Sequence, residues 1–235
     1  MPDHRKNQAL ILVALLGVAA FAPLGGAQQQ DGGARQKEHA KLYHYRTGKK
    51  LPQLAESGTG DVIVHAGRVG AWGISAGPHP PYPHLYLVDI ASRADAVLLG
   101  VMKTSSSALT EDQDFIFTDW QMTVEEVLKD NPRASIALNT EITVTRPGGT
   151  LIMNGRDVRA IERTFLPFHE GGRYLLFLFF VPATGAYQAF NDESFELLEH
   201  GVRSARPNFP YVDLKTRQDP QVFLAEVRVA VAAAH

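Results

Sequence analysis

Arg173-Tyr174-Leu175-Leu176-Phe177-Leu178-Phe179-Phe180-Val181 decides the fold. Every position from Tyr174 to Phe180 is apolar, so both faces of the strand it predicts are dry, and such a strand sits in the middle of a packed structure. The run is also far short of the ~20 apolar residues that span a hydrocarbon core. It opens after Glu170-Gly171-Gly172, a turn. Upstream, Phe115 to Leu128 alternates, with Ile116, Trp120, Met122, Val124 and Leu128 on one face and Asp119, Gln121, Thr123 and Glu125 on the other. One buried and one wet face predicts an antiparallel strand.

Further strands follow from the same period of two. Ala96 to Met102 is one, with Gly100 marking a bulge or bend. Leu138, Thr140, Ile142 and Val144 alternate up to the Pro147-Gly148-Gly149 turn, and Thr150 to Met153 returns from it. Tyr187 to Phe190 and Ser194 to Leu198 close the set around the Asn191-Asp192-Glu193 turn. Leu85 to Ala94 has helical spacing and feeds the first of these strands, while Gln221 to Ala234 predicts a terminal helix. The expected fold is mainly β: a small closed or partly open antiparallel barrel with a preceding short helix and a C-terminal helix. Residues 85–201 form that domain, and 202–235 are its C-terminal connection and helix.

Before the barrel the chain changes character. His4, Arg5 and Lys6 precede an apolar stretch from Ala9 to Leu24, and Gly25-Gly26-Ala27 supplies small residues for a cut before Gln28. Residues 1–27 thus read as a secretory signal peptide, which predicts an exported protein, periplasmic or extracellular, with no stable membrane span after cleavage; the alternative is an uncleaved anchor, for which the apolar run falls short of the ~20 residues that span a hydrocarbon core. Residues 28–37 are polar and glycine-rich and read as a flexible linker. Residues 38–84 read as a loop-rich N-terminal arm, with Gly67 to His84 an extended loop, because Gly67, Gly70, Gly73 and Gly77 and then Pro78, Pro80, Pro81 and Pro83 forbid any regular element there. The chain has no Cys, so neither a disulfide nor a lipid-attachment cysteine is available. Stability must come from core burial alone. Lys and Arg number 23 against 25 Asp and Glu, which leaves no basic face for nucleic acid.

Arg93-Ala94-Asp95-Ala96-Val97-Leu98-Leu99-Gly100, Thr118-Asp119, Val124-Glu125-Glu126-Val127-Leu128-Lys129, Arg146-Pro147-Gly148-Gly149 and Gly172-Arg173-Tyr174-Leu175-Leu176-Phe177-Leu178 occur in that order. This pattern resembles exported bacterial domains similar to the oligonucleotide/oligosaccharide-binding-type barrel of the netrin-like, tissue-inhibitor-like fold. It covers residues 95–201 of 235. The resemblance implies a fold and transfers no functional residue; inhibition of proteases through an N-terminal cysteine is not carried over to a chain without one.

Four constellations invite chemistry. Gly73-Ile74-Ser75-Ala76-Gly77 matches the nucleophile elbow of serine hydrolases, with His65 or His79 as a partner, but Pro80 and Pro81 oppose the helix that the elbow needs after its serine, at about 3 kcal/mol each. His79 and His84 are five apart in a proline loop, as are His39 and His44 in the arm, and neither spacing completes a metal-ligand set. Glu111, Asp112 and Asp114 lack the glycine and distal glutamate of a calcium loop. Glu125 and Glu126 alternate across a strand and do not form a carboxylate pair. Trp120, Phe177 and Phe179 read as core. Tyr43, Tyr45, Trp72, Tyr82 and Tyr86 lie outside the expected barrel and either form a contact surface or pack the arm onto it. The expectation is therefore an exported, non-enzymatic binding or structural module whose partner is an envelope or extracellular protein or glycan, without a cofactor. Ser75 as a catalytic residue and His79 with His84 as metal ligands are the alternatives.

Overall fold

A computed structural model describes residues 25–45, 47–66, 83–207 and 219–234, with side chains from residue 33 onward and not at 83 and 84. The segment expected as a linker is helical: α1 spans Gly25–Ala40. A short helix α2, Leu51–Glu56, and strand β1, Val62–Ala66, complete the arm. Helix α3, Pro83–Arg93, leads into β2, Ala96–Leu109, and β3, Ile116–Lys129. Then come β4, Glu141–Pro147, β5, Gly149–Met153, and β6, Arg156–Glu162. The dry stretch is β7, Arg173–Val181, followed by β8, Ala186–Gln188, β9, Ser194–Leu198, β10, Gly201–Ser204, and helix α4, Pro220–Ala233.

The strands divide into two sheets. The larger runs β10-β9-β7-β2-β3-β4-β8, and a further pairing of β7 with β8 joins its far end back to the middle. The smaller runs β1-β6-β5, with β1 parallel to β6. Strands β6 and β10 were not expected from the sequence, and β1 belongs to the arm, so arm and strand region share a sheet.

The two dry faces of β7 have two destinations. Leu175 and Phe177 join Val97 and Leu99 of β2 and Phe195 of β9 beneath α3 and α4, where Ile90, Phe223 and Val227 cover them. Tyr174, Leu176 and Leu178 turn the other way, toward Leu98, Met102, Trp120, Met122, Val144 and Tyr187. Strand β2 passes between the same two cores, and at Gly100 its register against β3 shifts. A Cβ there would collide with the Thr123 carbonyl and the Met122 side chain, so the bend that the glycine suggested is required by close approach.

A third core is the arm's own. Tyr43, Tyr45, Leu51 and Ala55 pack on Phe115, Ile116 and Phe117 of the larger sheet and on Val158 and Ala160 of β6. Tyr45 stacks on Phe115 at 3.9 Å between ring centroids, and Tyr43 on Phe117 at 5.8 Å. These tyrosines pack the arm onto the strands and are not a contact surface. Tyr86 is likewise buried, its hydroxyl bonded to the carbonyl of Asp192. Trp72 and Tyr82 lie outside the described residues. Of the expected wet face of β3, Asp119 is buried beneath the arm, whereas Gln121 and Thr123 are half-buried and Glu125 is exposed.

Candidate functional site

Helix α1 places Arg35 and Gln36 on the same side as His39, because positions three and four apart share a helical face. All three bond to the larger sheet. Arg35 Nη1 donates to Thr143 Oγ1 on β4 at 2.8 Å, and Gln36 Nε2 donates to Ser106 Oγ on β2 at 3.0 Å. His39 Nδ1 lies 2.9 Å from each carboxylate oxygen of Asp119 on β3. Its Nε2 lies 2.8 Å from the hydroxyl of Thr184, in the turn between β7 and β8. Next to it, the Tyr43 hydroxyl donates to Thr145 Oγ1, and Thr145 stands opposite Asp119 in the ladder.

Between helix and sheet lies a cleft of about 220 Å³. Arg35 and Gln36 form one wall, Thr104, Ser105 and Ser106 of β2 another, and Asp119, Gln121 and Thr143 the floor. Its lining is uncommonly hydroxyl- and amide-rich. Thr143 Oγ1 accepts from Arg35 and also from Gln121 Nε2 at 3.2 Å, so both its lone pairs are engaged and its proton is left to donate. Gln36 and Gln121 each use their amide nitrogen on the wall, which leaves the carbonyl oxygens as acceptors. The His39 ring occupies the inner side of the Asp119 carboxylate and leaves outer lone pairs on both oxygens. Donors and acceptors thus alternate around one small space.

Asp119, His39 and Thr184 stand in the order acid, base and hydroxyl used in acyl transfer. The surroundings do not fit that chemistry. The Thr184 and Gly185 amides both donate to Val181 O, at 3.1 and 3.0 Å, and the Ala186 amide points back to Thr184 Oγ1 at 3.4 Å. Those amides are thus not available to a developing oxyanion, and the His39 ring is wholly buried. The three groups instead tie α1, β3 and the β7–β8 turn together.

Of the residues singled out from the sequence, Ser75 and His79 lie outside the described residues, as does the side chain of His84. His65 is exposed on β1. His39 and His44 do not converge: His44 Nδ1 meets Asp112 Oδ2 at 3.1 Å, while His39 meets Asp119 and Thr184. Among the described residues no three His, Cys, Asp or Glu side chains gather in a metal-binding group. Asp114 is buried beneath Thr47 and Thr110, and that burial raises its pKa above the usual carboxylate value. Glu125 and Glu126 take separate partners, Arg173 and Arg228. The His39–Asp119 contact joins residues 80 apart and had no local signal in the sequence.

No protein-family model matches the chain, and no curated protein matches it.

Proposed function

We propose that the protein is an exported, non-enzymatic binding module, periplasmic or extracellular, whose ligand site is the cleft beneath α1. The leader supports export, and the circuit of pairings from β7 through β2, β3, β4 and β8 back to β7 supports an oligonucleotide/oligosaccharide-binding-type, netrin-like barrel as its frame. The observation that carries the reading is the arrangement of the cleft's hydrogen-bonding groups. A hydroxyl donates and accepts at once, and a space lined by the Thr143 proton, two amide carbonyls and the Asp119 oxygens suits a ligand made of hydroxyls. We assign it a glycan of the cell envelope. At about 220 Å³ the space falls below the roughly 300–1,000 Å³ of drug-sized sites, so it takes one ring or a chain end.

Titration of the ¹⁵N-labelled protein with free hexoses and with N-acetylglucosamine disaccharide tests this. Amide shifts concentrated at residues 104–106, 119–121 and 143 are expected, and Asp119→Asn weakens binding by about 10-fold or more, since a hydrogen bond to a charged group contributes roughly 1.5–3 kcal/mol. Shifts that avoid these residues, or full affinity in Asp119→Asn, refute the assignment.

A further inference from the structure

We infer that His39 is the positioning residue of the cleft, and that through it docking of α1 and occupancy of the cleft are one coupled equilibrium. This rests on the cleft reading given above. Three observations meet at this ring. First, His39 has no exposed surface, although it belongs to a helix whose neighbouring residues Gly33, Ala34 and Lys37 are exposed. Second, a single Nδ1–H lies equidistant, at 2.9 Å, from both oxygens of Asp119. That geometry fixes the rotation of the carboxylate and thereby the direction of the lone pairs left to face a ligand. Third, Nε2 is held by Thr184, so the ring is clamped from both sides and cannot turn without breaking one contact.

The same helix carries the clamp and one wall of the cleft. Arg35 and Gln36 stand one turn before His39, and their bonds to Thr143 and Ser106 exist only while α1 lies on the sheet. An undocked α1 has no cleft. A ligand that binds only the docked state must therefore favour docking, and any change that undocks α1 must raise the apparent dissociation constant in proportion to the docked fraction that is lost. The charged and polar side chains facing this unit are Ser106, Asp119, Gln121, Thr143 and Thr145 from the sheet and Thr184 from the β7–β8 turn.

The absence of cysteine makes a clean test available. Lys37 is exposed on α1 and outside the cleft, so Lys37→Cys carries a nitroxide label whose mobility reports docking in the full chain. Three backgrounds are compared: His39 intact, His39→Ala, and His39→Asn, which keeps an N–H close to the place of Nδ1 but offers nothing at Nε2. The label is expected to be restricted in the first and largely mobile in His39→Ala. If docking falls to about one tenth, affinity for the hexose panel falls about 10-fold, and saturating hexose restores the restricted spectrum. His39→Asn recovers most of the affinity, a recovery that simple loss of packing would not give. A label that stays restricted in His39→Ala, or full hexose affinity with α1 mobile, overturns the coupling. If no hexose binds the wild type, the ligand reading and the coupling both fall. In that case the spectra of the three backgrounds still decide whether His39 holds α1.

Discussion

Glu193 shows at the scale of one residue how burial sets a titration. Its carboxylate is buried at the end of the short helix Asn191–Glu193; Arg93 lies 3.1 Å from one oxygen, and the other oxygen has no hydrogen-bond partner among the described residues. Burial raises its pKa from 4.5 to about 8 in spite of that arginine. The folded state therefore holds a proton that the unfolded chain releases, and the stability this contributes is full below 4.5 and disappears as pH rises through about 8. His169 acts in the same direction: its hydrogen bond to Glu196 raises its pKa above 6.5, and its contribution is lost as pH rises through the folded value. Urea unfolding should thus show stability declining between about pH 5 and 8.5, and Glu193→Gln should flatten that decline. A slope unchanged in the variant would rule out Glu193 as its source. Tyr45 makes the complementary case for packing. Its ring is stacked on Phe115 in the third core, and Tyr45→Ala is expected to cost about 3–5 kcal/mol in the same assay.

At the scale of elements, the same substitution has opposite signs at two glycines. Gly33 lies on the exposed side of α1 with open space around it, and a helix-interior glycine costs about 1 kcal/mol against alanine. Gly33→Ala should raise the unfolding midpoint. Gly100 is where β2 and β3 approach too closely for any side chain, and Gly100→Ala should lower stability by about 1–3 kcal/mol through overpacking. Thermal melts of the two variants decide both. These glycines also explain what was legible. The dry pattern of β7 predicts its own burial, since an apolar strand is costly to leave in water. Helix α1 has no such signature: Gly-Gly-Ala-Gln-Gln-Gln-Asp-Gly-Gly-Ala is a poor helix former, and its side-chain bonds to the sheet are what hold it.

At the scale of the molecule, the arm is part of the fold. Tyr43, Tyr45 and Leu51 fill a core whose other walls are Phe115 and Phe117 of one sheet and Val158 of the other. Removing residues 1–56 would expose that core and strip β1 of the chain that leads into it. The truncated protein is expected to bind a hydrophobic dye such as ANS and to lose the sharp unfolding transition of the full chain. A truncated chain that melts as sharply as the whole would mean that the arm adds a site to a strand region already stable by itself. The absence of cysteine adds weight to this core, since no disulfide closes the arm onto the strands.

By itself the sequence determined the strands with strong periodicity, the two faces of β7, the bend at Gly100 and the terminal helix. Each of these follows from local pattern, because an apolar face must be covered whatever covers it. Only the tertiary structure decided what does the covering. It laid α1 over the face of β3 that alternation left to water, joined β1 to β6, and brought His39 to Asp119 and Thr184 across 80 and 145 residues of chain. A buried polar group needs partners, but any distant carboxylate or hydroxyl can meet that need. Nothing in the neighbourhood of a histidine in sequence says which one will.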